Sequence, residues 1–190
     1  MNSDNIKILH TEECPNSPYI RTKRVHYLEK GCQKSWDILD AHDSVAILIF
    51  DKTQQSLIVV KQLRIAVYAK ENIPYTYELC AGLVDKQKSL REIASEEVLE
   101  ECGYAISPDA LEEVALFYSS VGFASTKQHL YYAEVDGTMK MNEGGGIDDE
   151  MIEVVSIPIQ ELQQFIFDSQ YAKTSGLLFA FLWFLRKYPQ

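Results

Sequence analysis

The chain has 190 residues, of which 46% are hydrophobic and 24% charged, a balance typical of one folded globular domain with room for a small appendage. Asp and Glu outnumber Lys and Arg by 28 to 18, which gives a formal net charge of -10 at pH 7. Such a charge repels nucleic-acid backbones and anionic lipids, so we expect neither a nucleic-acid nor a membrane partner. A small phosphorylated ligand is still compatible with it, provided that metal ions bridge acid and phosphate.

The predicted elements follow from length, hydrophobic period and turn residues. Nine segments are predicted as strands: residues 7–11, 22–30, 32–39, 44–50, 56–63, 75–81, 114–118, 128–134 and 151–157. Three segments are predicted as helices: residues 89–102, 158–168 and 174–187. Ser89 is a suitable N-cap for the first helix and Gly103 a suitable C-cap. Strands on both sides of one strong helix, followed by two closing helices, predict an α/β or α+β sandwich.

The ends and the cysteines of the chain bear on its compartment. The first ten residues contain no apolar core of a signal peptide, and the apolar run 177–185 is too short to cross a bilayer. The four cysteines form no CxxC pair and have no metal-ligand spacing. We therefore expect reduced thiols and a cytoplasmic location.

An acidic cluster dominates the first predicted helix. Five glutamates and no Lys or Arg lie between Glu92 and Glu101. Glu97, Glu100 and Glu101 are spaced i, i+3 and i+4, so they project from one side of a helix. Like charges at this spacing destabilise a helix unless a cation lies between them. The spacing is compatible with a divalent-cation site and equally with an acidic solvated surface.

Residues 82–104 resemble the Nudix box, G-x5-E-x7-R-E-U-x-E-E-x-G-U, in which U is a bulky apolar residue. The end of the segment matches at Glu97, Val98, Glu100, Glu101, Gly103 and Tyr104. Lys88 stands where the box has its first glutamate, and Glu96 stands where it has an arginine that helps to orient the carboxylates. These departures keep open a catalytically inactive protein that only binds sugar nucleotides.

The resemblance extends beyond the box, to the branch of the Nudix hydrolases that acts on ADP-ribose and nucleoside diphosphate sugars. It is carried by residues 61–64, 66–68, 78–82, 120–123 and 148–150, and residues 33–37, 42–45 and 78–85 are most similar to members that hydrolyse UDP-glucose. It implies a Nudix fold, an α/β/α sandwich with a mixed sheet, over residues 43–190. It also implies that residues 1–42 form an N-terminal β extension that helps to build a homodimer.

The same resemblance implies roles for individual residues. Mg²⁺, or Mn²⁺ in its place, is expected to bind to the carbonyl of Ala81 and to Glu97, Glu100 and Glu101. Glu101 is therefore a catalytic residue, Glu150 is the expected general base, and Asp148 is the second choice for that base. The acidic residues beside the three glycines 144–146 are equally compatible with a merely solvated loop.

The expected substrate-binding residues are spread along the chain. Arg64 is expected to grip a phosphate, although a surface salt bridge is the competing interpretation. Trp36 is a candidate for stacking on the base, and core packing explains it equally well. The remaining candidates are Glu78, Gly82 and Gly122, which belong to the matched motifs. The implied reaction is UDP-glucose plus water giving UMP and glucose 1-phosphate, with hydrolysis of ADP-ribose as the alternative.

Overall fold

In the computed structural model, the described residues are 6–17, 20–147 and 150–189. The chain begins with an antiparallel hairpin of β1 (Arg21–Glu29) and β2 (Cys32–Asp40), which is a two-stranded sheet of its own. Most side chains of this hairpin are exposed. In the part of the chain that the structure describes, no helix is both long and apolar enough to cross a membrane.

The larger sheet is mixed and has eight strands. They are β3 (Ser44–Asp51), β4 (Ser56–Leu63), β5 (Tyr75–Glu78), β6 (Cys80–Leu83), β7 (Glu112–Ser119), β8 (Thr126–Val135), β9 (Ile152–Pro158) and β10 (Ala172–Lys173). The α-helices are α1 (Ile65–Glu71), α2 (Leu90–Cys102), α3 (Leu162–Phe167) and α4 (Ser175–Lys187).

The sheet forks between β3 and β4. These two strands pair only next to their connecting turn, where residues 49–51 face residues 56–58. Farther from the turn, residues 44–47 of β3 pair with β6, whereas residues 60–63 of β4 pair with β5. Because β5 and β6 are consecutive, the chain crosses the fork at Leu79. The open end of the fork is where backbone and polar side chains of four strands meet.

Helices cover both faces of the forked sheet. Ile47 and Ile49 belong to the buried cluster that includes Ile93 and Val98 of α2. Leu48, which points the other way, belongs to the cluster that includes residues of α3 and α4. β3 is thus buried on both faces, as the apolar run of residues 45–50 within it predicts. The predicted α/β/α sandwich with a mixed sheet is confirmed.

Capping residues define α2. The Ser89 side chain accepts a hydrogen bond from the backbone N–H of Glu92, and the Glu92 carboxylate accepts one from the N–H of Ser89. This reciprocal capping box satisfies two backbone donors that the helix leaves free. At the other end Gly103 has a left-handed backbone, with φ of 77°, and its N–H bonds to the last turn. The N-cap and C-cap predicted for this helix are confirmed.

Three predicted elements need correction. Residues 7–11 are not a strand, because their exposed backbone pairs with no neighbouring strand among the described residues. The single strand predicted at 75–81 is two, β5 and β6, because the buried Leu79 marks the change of pairing partner. The helix predicted at 158–168 is shorter: Pro158 ends β9, a 3-10 turn follows at Ile159–Glu161, and α3 occupies only Leu162–Phe167.

Two elements were not predicted. α1 has seven residues, none of them buried, and is shorter than the window of about 11 residues over which helical periodicity can be recognised. β10 has two residues and pairs in parallel with β5. Both are too short for a sequence signal.

Candidate active site

The acidic edge of α2 is part of its inward-facing side. The buried residues of the helix include Ala94, Val98 and Glu101, which follow each other at helical spacing. Glu101 is only 6% exposed, and its Oε2 accepts a hydrogen bond from the backbone N–H of Ala81 at 3.0 Å. The helix therefore directs a carboxylate to the backbone of β6, at the open end of the fork.

A cavity of about 530 Å³ opens at this point. Its size suits a small-molecule ligand. It is lined by Ser44, Gln62, Arg64, Glu78, Ala81, Gly82, Leu83, Asp85, Lys86, Glu97, Glu100, Glu101, Gln128, Ile147 and Glu150. We call it the carboxylate pocket. The structure thus brings together eight of the residues singled out from the sequence: Arg64, Glu78, Ala81, Gly82, Glu97, Glu100, Glu101 and Glu150.

Gly82 is required by the position of Glu97. A Cβ atom added to Gly82 would lie 2.2 Å from Cδ of Glu97, a distance that real atoms do not tolerate. The absence of a side chain lets α2 and its carboxylate approach the backbone of β6. Gly82 therefore acts through packing, by making room for a carboxylate beside the strand.

Two carboxylates in this pocket resist ionisation. Burial raises the pKa of Glu101 to about 7, although hydrogen bonds from the Ala81 N–H and the Cys80 thiol partly oppose the shift. Burial and the nearby charge of Glu100 raise the pKa of Glu97 to about 7, against the opposing effect of Lys86. Glu150 adds repulsion to both groups. Ionisation of these two carboxylates costs free energy in the metal-free protein, and a cation bound between them would offset that cost.

The donor set fits a hard divalent cation. The pocket offers carboxylate oxygens of Glu97, Glu100, Glu101 and Glu150, which are the ligands that Mg²⁺ and Mn²⁺ prefer. Within residues 6–17, 20–147 and 150–189, no three or more His, Cys, Asp or Glu side chains are placed so that they could hold a metal ion by themselves, as a protein cage. Mg²⁺ seldom uses such a cage, because it keeps water and substrate oxygens among its ligands. The residues are therefore compatible with Mg²⁺ held jointly by protein and diphosphate.

Arg64 lies in the pocket but is engaged by a carboxylate. Its Nε and Nη2 donate to the two carboxylate oxygens of Glu78, each at 2.8 Å. Thr76 donates a further hydrogen bond to Glu78 at 2.5 Å. The pKa of Arg64 is raised, first by the hydrogen bond with Glu78. The salt bridge considered as the competing interpretation is thus present, and it is located inside the pocket.

The glycine loop after β8 ties Glu150 to the end of α2. The N–H of Gly145 donates to the carbonyl of Glu101 at 2.9 Å, and the N–H of Gly146 donates to that of Glu100 at 3.1 Å. Gly144 has φ of 70°, and a Cβ there would lie 2.2 Å from the carbonyl oxygen of Glu101. The three glycines thus let the loop contact the last turn of α2, so they are more than a solvated linker. Asp148, the second candidate base, lies outside the described residues.

Trp36 and Gly122 lie elsewhere. They line a second cavity of about 540 Å³, together with Arg24, Ser35, Asp37 and Phe123. We call it the hairpin pocket. The indole Nε1–H of Trp36 donates to the carbonyl of Gly122 at 2.7 Å, and the indole is 57% exposed. The structure excludes core packing for Trp36 in this chain, but it does not bring this residue into the carboxylate pocket.

Sequence reasoning missed several residues that line the carboxylate pocket. Asp85 and Lys86 fall in the x5 part of the box, which specifies no residue type. Gln62 and Gln128 lie at the ends of β4 and β8 that face the fork. Their only signal is topological, since the position of the fork must be known before these ends can be placed together.

Comparisons with known proteins identify the family and the fold. The NUDIX domain family matches residues 40–175. The uridine diphosphate glucose pyrophosphatases NUDT14 of Bos taurus and Mus musculus are each 38% identical over 200 residues, covering 90% of this chain and 90% of the relative. The GDP-mannose pyrophosphatase of Cronobacter sakazakii is 33% identical over 66% of this chain and 64% of its own length. A crystal structure of an ADP compounds hydrolase has a TM-score of 0.70 and 18% identity, with 96% of this chain and 92% of that chain covered.

Proposed function

The chain belongs to the NUDIX family, and on that premise we propose that it hydrolyses the pyrophosphate bond of a nucleoside diphosphate sugar. UDP-glucose is the favoured substrate, and the products are UMP and glucose 1-phosphate. The observation that carries the proposal is the acidic edge of α2, where Glu97 and Glu101 face one pocket with pKa values raised to about 7. Such an edge is suited to a cation-bound diphosphate.

The choice of substrate class is supported by the relatives. Those that match 90% of the chain are named for UDP-glucose, and those that match about two thirds of it are named for GDP-mannose. A sugar linked to a nucleoside through a diphosphate is common to both names. UDP-glucose is favoured because the former relatives match more of the chain at higher identity.

We assign the following work to the residues of the pocket. Glu97, Glu100 and Glu101, with the Ala81 carbonyl, would hold Mg²⁺, for which Mn²⁺ is the alternative. The bound cation supplies neutralisation of the diphosphate and a lowered pKa for an attacking water. Glu150 would accept the proton of the attacking water, whose oxygen would bond to one phosphorus as the bridging P–O bond breaks. The bridging oxygen leaves with the other phosphate.

Arg64 and Glu78 have a conditional role in this scheme. Nε and Nη2 of Arg64 donate to Glu78, so Arg64 contacts a phosphate through its remaining N–H donors or after it leaves Glu78. The Glu78 carboxylate, held also by Thr76, fixes the guanidinium at the pocket wall. A guanidinium held at this wall adds positive charge next to the expected position of the diphosphate.

We further propose that the protein is a cytoplasmic homodimer, with residues 1–42 as the dimerisation element. The exposed apolar residues of the hairpin support this, including Val25, Leu28 and Trp36. An interface formed by the hairpin would also bring Trp36 and Gly122 of one protomer near the carboxylate pocket of its partner. The free thiols of Cys14, Cys32, Cys80 and Cys102 support a reducing compartment.

A substrate panel tests the proposal. UDP-glucose, GDP-mannose and ADP-ribose are incubated with the protein and Mg²⁺, with and without a chelator, and the products are separated. We expect UMP and glucose 1-phosphate, the largest kcat/KM for UDP-glucose, and no product with the chelator. A larger kcat/KM for ADP-ribose would identify an ADP-ribose pyrophosphatase. Binding without turnover of any sugar nucleotide would identify an inactive binder, the alternative that Lys88 and Glu96 keep open.

A further inference from the structure

Two lysines contact Glu96, and one of them, Lys86, lines the carboxylate pocket. We propose that Lys86 is a substrate-binding residue that contacts the phosphate oxygens, and that Glu96 and Lys88 position it. The inference rests on the proposed function, since it requires a diphosphate in the pocket. It gives a common purpose to Lys88 and Glu96, the two positions at which the chain departs from the Nudix box.

The contacts of Glu96 reverse the polarity that the box implies. Lys88 Nζ donates to Oε1 of Glu96, and Lys86 Nζ lies 3.6 Å from Oε2. The carboxylate thus lies between two ammonium groups, and its pKa is lowered, first by the hydrogen bond with Lys88. An arginine at position 96 would repel both lysines. The two departures are therefore coupled. Glu96 holds the ammonium groups of Lys88 and Lys86 in the region where the box would place the positive charge of an arginine.

Lys86 extends this charge into the pocket. Its side chain lines the cavity together with Glu97 and Glu100. Burial by itself would lower the pKa of Lys86, but the attraction of Glu100, Glu97 and Glu96 outweighs burial and the pKa is raised. In return Lys86 opposes the rise in the pKa of Glu97. Its ammonium is thus charged at neutral pH and within electrostatic reach of the carboxylates.

Of the two basic side chains in the described lining of the pocket, Lys86 is the more available for a phosphate contact. The described lining of the pocket contains six acidic residues and two basic ones, Arg64 and Lys86. Arg64 makes two hydrogen bonds of 2.8 Å to Glu78. The contact of Lys86 with Glu96, at 3.6 Å, is longer than a hydrogen bond. A phosphate oxygen can therefore attract the flexible lysine without breaking a strong interaction.

Calorimetry with a methylene-bridged analogue of UDP-glucose, which the enzyme does not cleave, tests the contact directly in the presence of Mg²⁺. We expect Lys86→Met to raise Kd about tenfold, which is about 1.4 kcal/mol, and Lys86→Arg to restore binding to within about threefold. Lys52→Met is the matched control, because Lys52 has a similarly loose contact, 3.8 Å from Glu134, and lines no part of this pocket. Its Kd is expected to be unchanged.

Two further measurements separate contact from distortion. Mg²⁺ affinity without nucleotide should stay equal or increase in Lys86→Met, because a cation near Glu97 is removed; a fall would indicate displaced carboxylates and overturn the inference. Glu96→Gln should raise the analogue's Kd about threefold in the wild-type background and not at all in the Lys86→Met background, because it acts only through Lys86. Additive effects would overturn the positioning role.

The outcome is independent of the reaction itself. If the wild type cleaves UDP-glucose and Lys86→Met binds the analogue like the wild type, only the inference about Lys86 fails. If the wild type cleaves no sugar nucleotide but Lys86→Met weakens binding, only the proposed hydrolysis fails. A wild-type protein that does not bind the analogue would overturn the inference about Lys86.

Discussion

The carboxylate pocket and the hairpin pocket have similar volumes, about 530 and 540 Å³, but they are built differently. The first is formed by buried backbone: α2 packs on β6, and the glycine loop bonds to the last turn of α2. The second is formed by exposed aromatic side chains, Trp36 at 57% and Phe123 at 55% exposure, between a hairpin and a loop. One chain therefore supplies all the carboxylates proposed to bind the metal, whereas the aromatic side chains of the hairpin pocket stay exposed.

This difference implies that changes in the carboxylate pocket should affect kcat, and changes in the hairpin pocket should affect KM. The largest effect is expected from Glu101→Gln, which keeps the shape and removes a buried carboxylate charge. We expect kcat for UDP-glucose to fall about 10³-fold, the size of a lost major electrostatic contact. Steady-state kinetics and circular dichroism check the rate and the fold.

Glu92→Gln is the control for that substitution. It removes a charge from the same helix, but glutamine preserves the capping box with Ser89, and the residue lies outside the pocket. Its kcat should remain within about twofold of the wild type. Equal losses in the two variants would mean that helix charge, and not the pocket, determines the rate.

A smaller loss of kcat is expected from Gly82→Ala. The added Cβ would lie 2.2 Å from Cδ of Glu97 and must displace that carboxylate. Because a shift of about 1 Å at a reacting centre costs about 10²-fold in rate, we expect a loss of that order. Gly137→Ala is the control, since a Cβ there meets no atom within 4 Å. An unchanged kcat in Gly82→Ala would mean that the position of the Glu97 carboxylate does not matter for the reaction, which would contradict its proposed role.

The raised pKa values predict how stability depends on pH without metal. In the folded protein the pKa of Glu97 and of Glu101 is about 7, above the ordinary 4.5, so folding favours their protonated forms. The resulting gain in the free energy of unfolding is fully present below about pH 4.5 and is lost as pH rises through about 7. In a chelator, we expect this loss to reach about 2 kcal/mol between pH 5 and 8, after allowance for the partial exposure of Glu97. Urea unfolding of the wild type and of Glu97→Gln/Glu101→Gln, compared at both pH values, measures it.

Mg²⁺ should abolish this loss in the wild type, because a bound cation favours the ionised carboxylates. The double variant should show neither the loss nor the rescue by Mg²⁺. A wild-type protein whose unfolding free energy changes with pH as that of the variant does would contradict the electrostatic account of the pocket.

The smallest effect is expected in the hairpin pocket. Trp36→Ala should raise KM about tenfold with little change in kcat, if the indole stacks on the base of a substrate bound in a partner's carboxylate pocket. Dilution below the dimer dissociation constant should then raise KM of the wild type as well. Phe167→Ala, at an exposed aromatic residue outside the hairpin, is the control. A fall in kcat alone would contradict the division between the pockets.

The same division explains what could be predicted from the sequence. Helical spacing places Glu97, Glu100 and Glu101 on one edge, and a capped helix of that length is recognisable from Ser89 and Gly103. The fork between β3 and β4 has no local signal, since it depends on strand pairing between residues far apart in the chain. For the same reason the sequence does not single out Gln62 and Gln128. It also shows Lys88 and Glu96 as two separate departures from the box, whereas the structure pairs them.

Anomalous diffraction from crystals grown with Mn²⁺ and the methylene-bridged UDP-glucose analogue tests the central claim most directly. We predict Mn²⁺ peaks between the diphosphate and the carboxylates of Glu97 and Glu101, at the end of β6 that faces the fork. Peaks that lie away from α2, or a diphosphate bound with no Mn²⁺ near these carboxylates, would contradict the account.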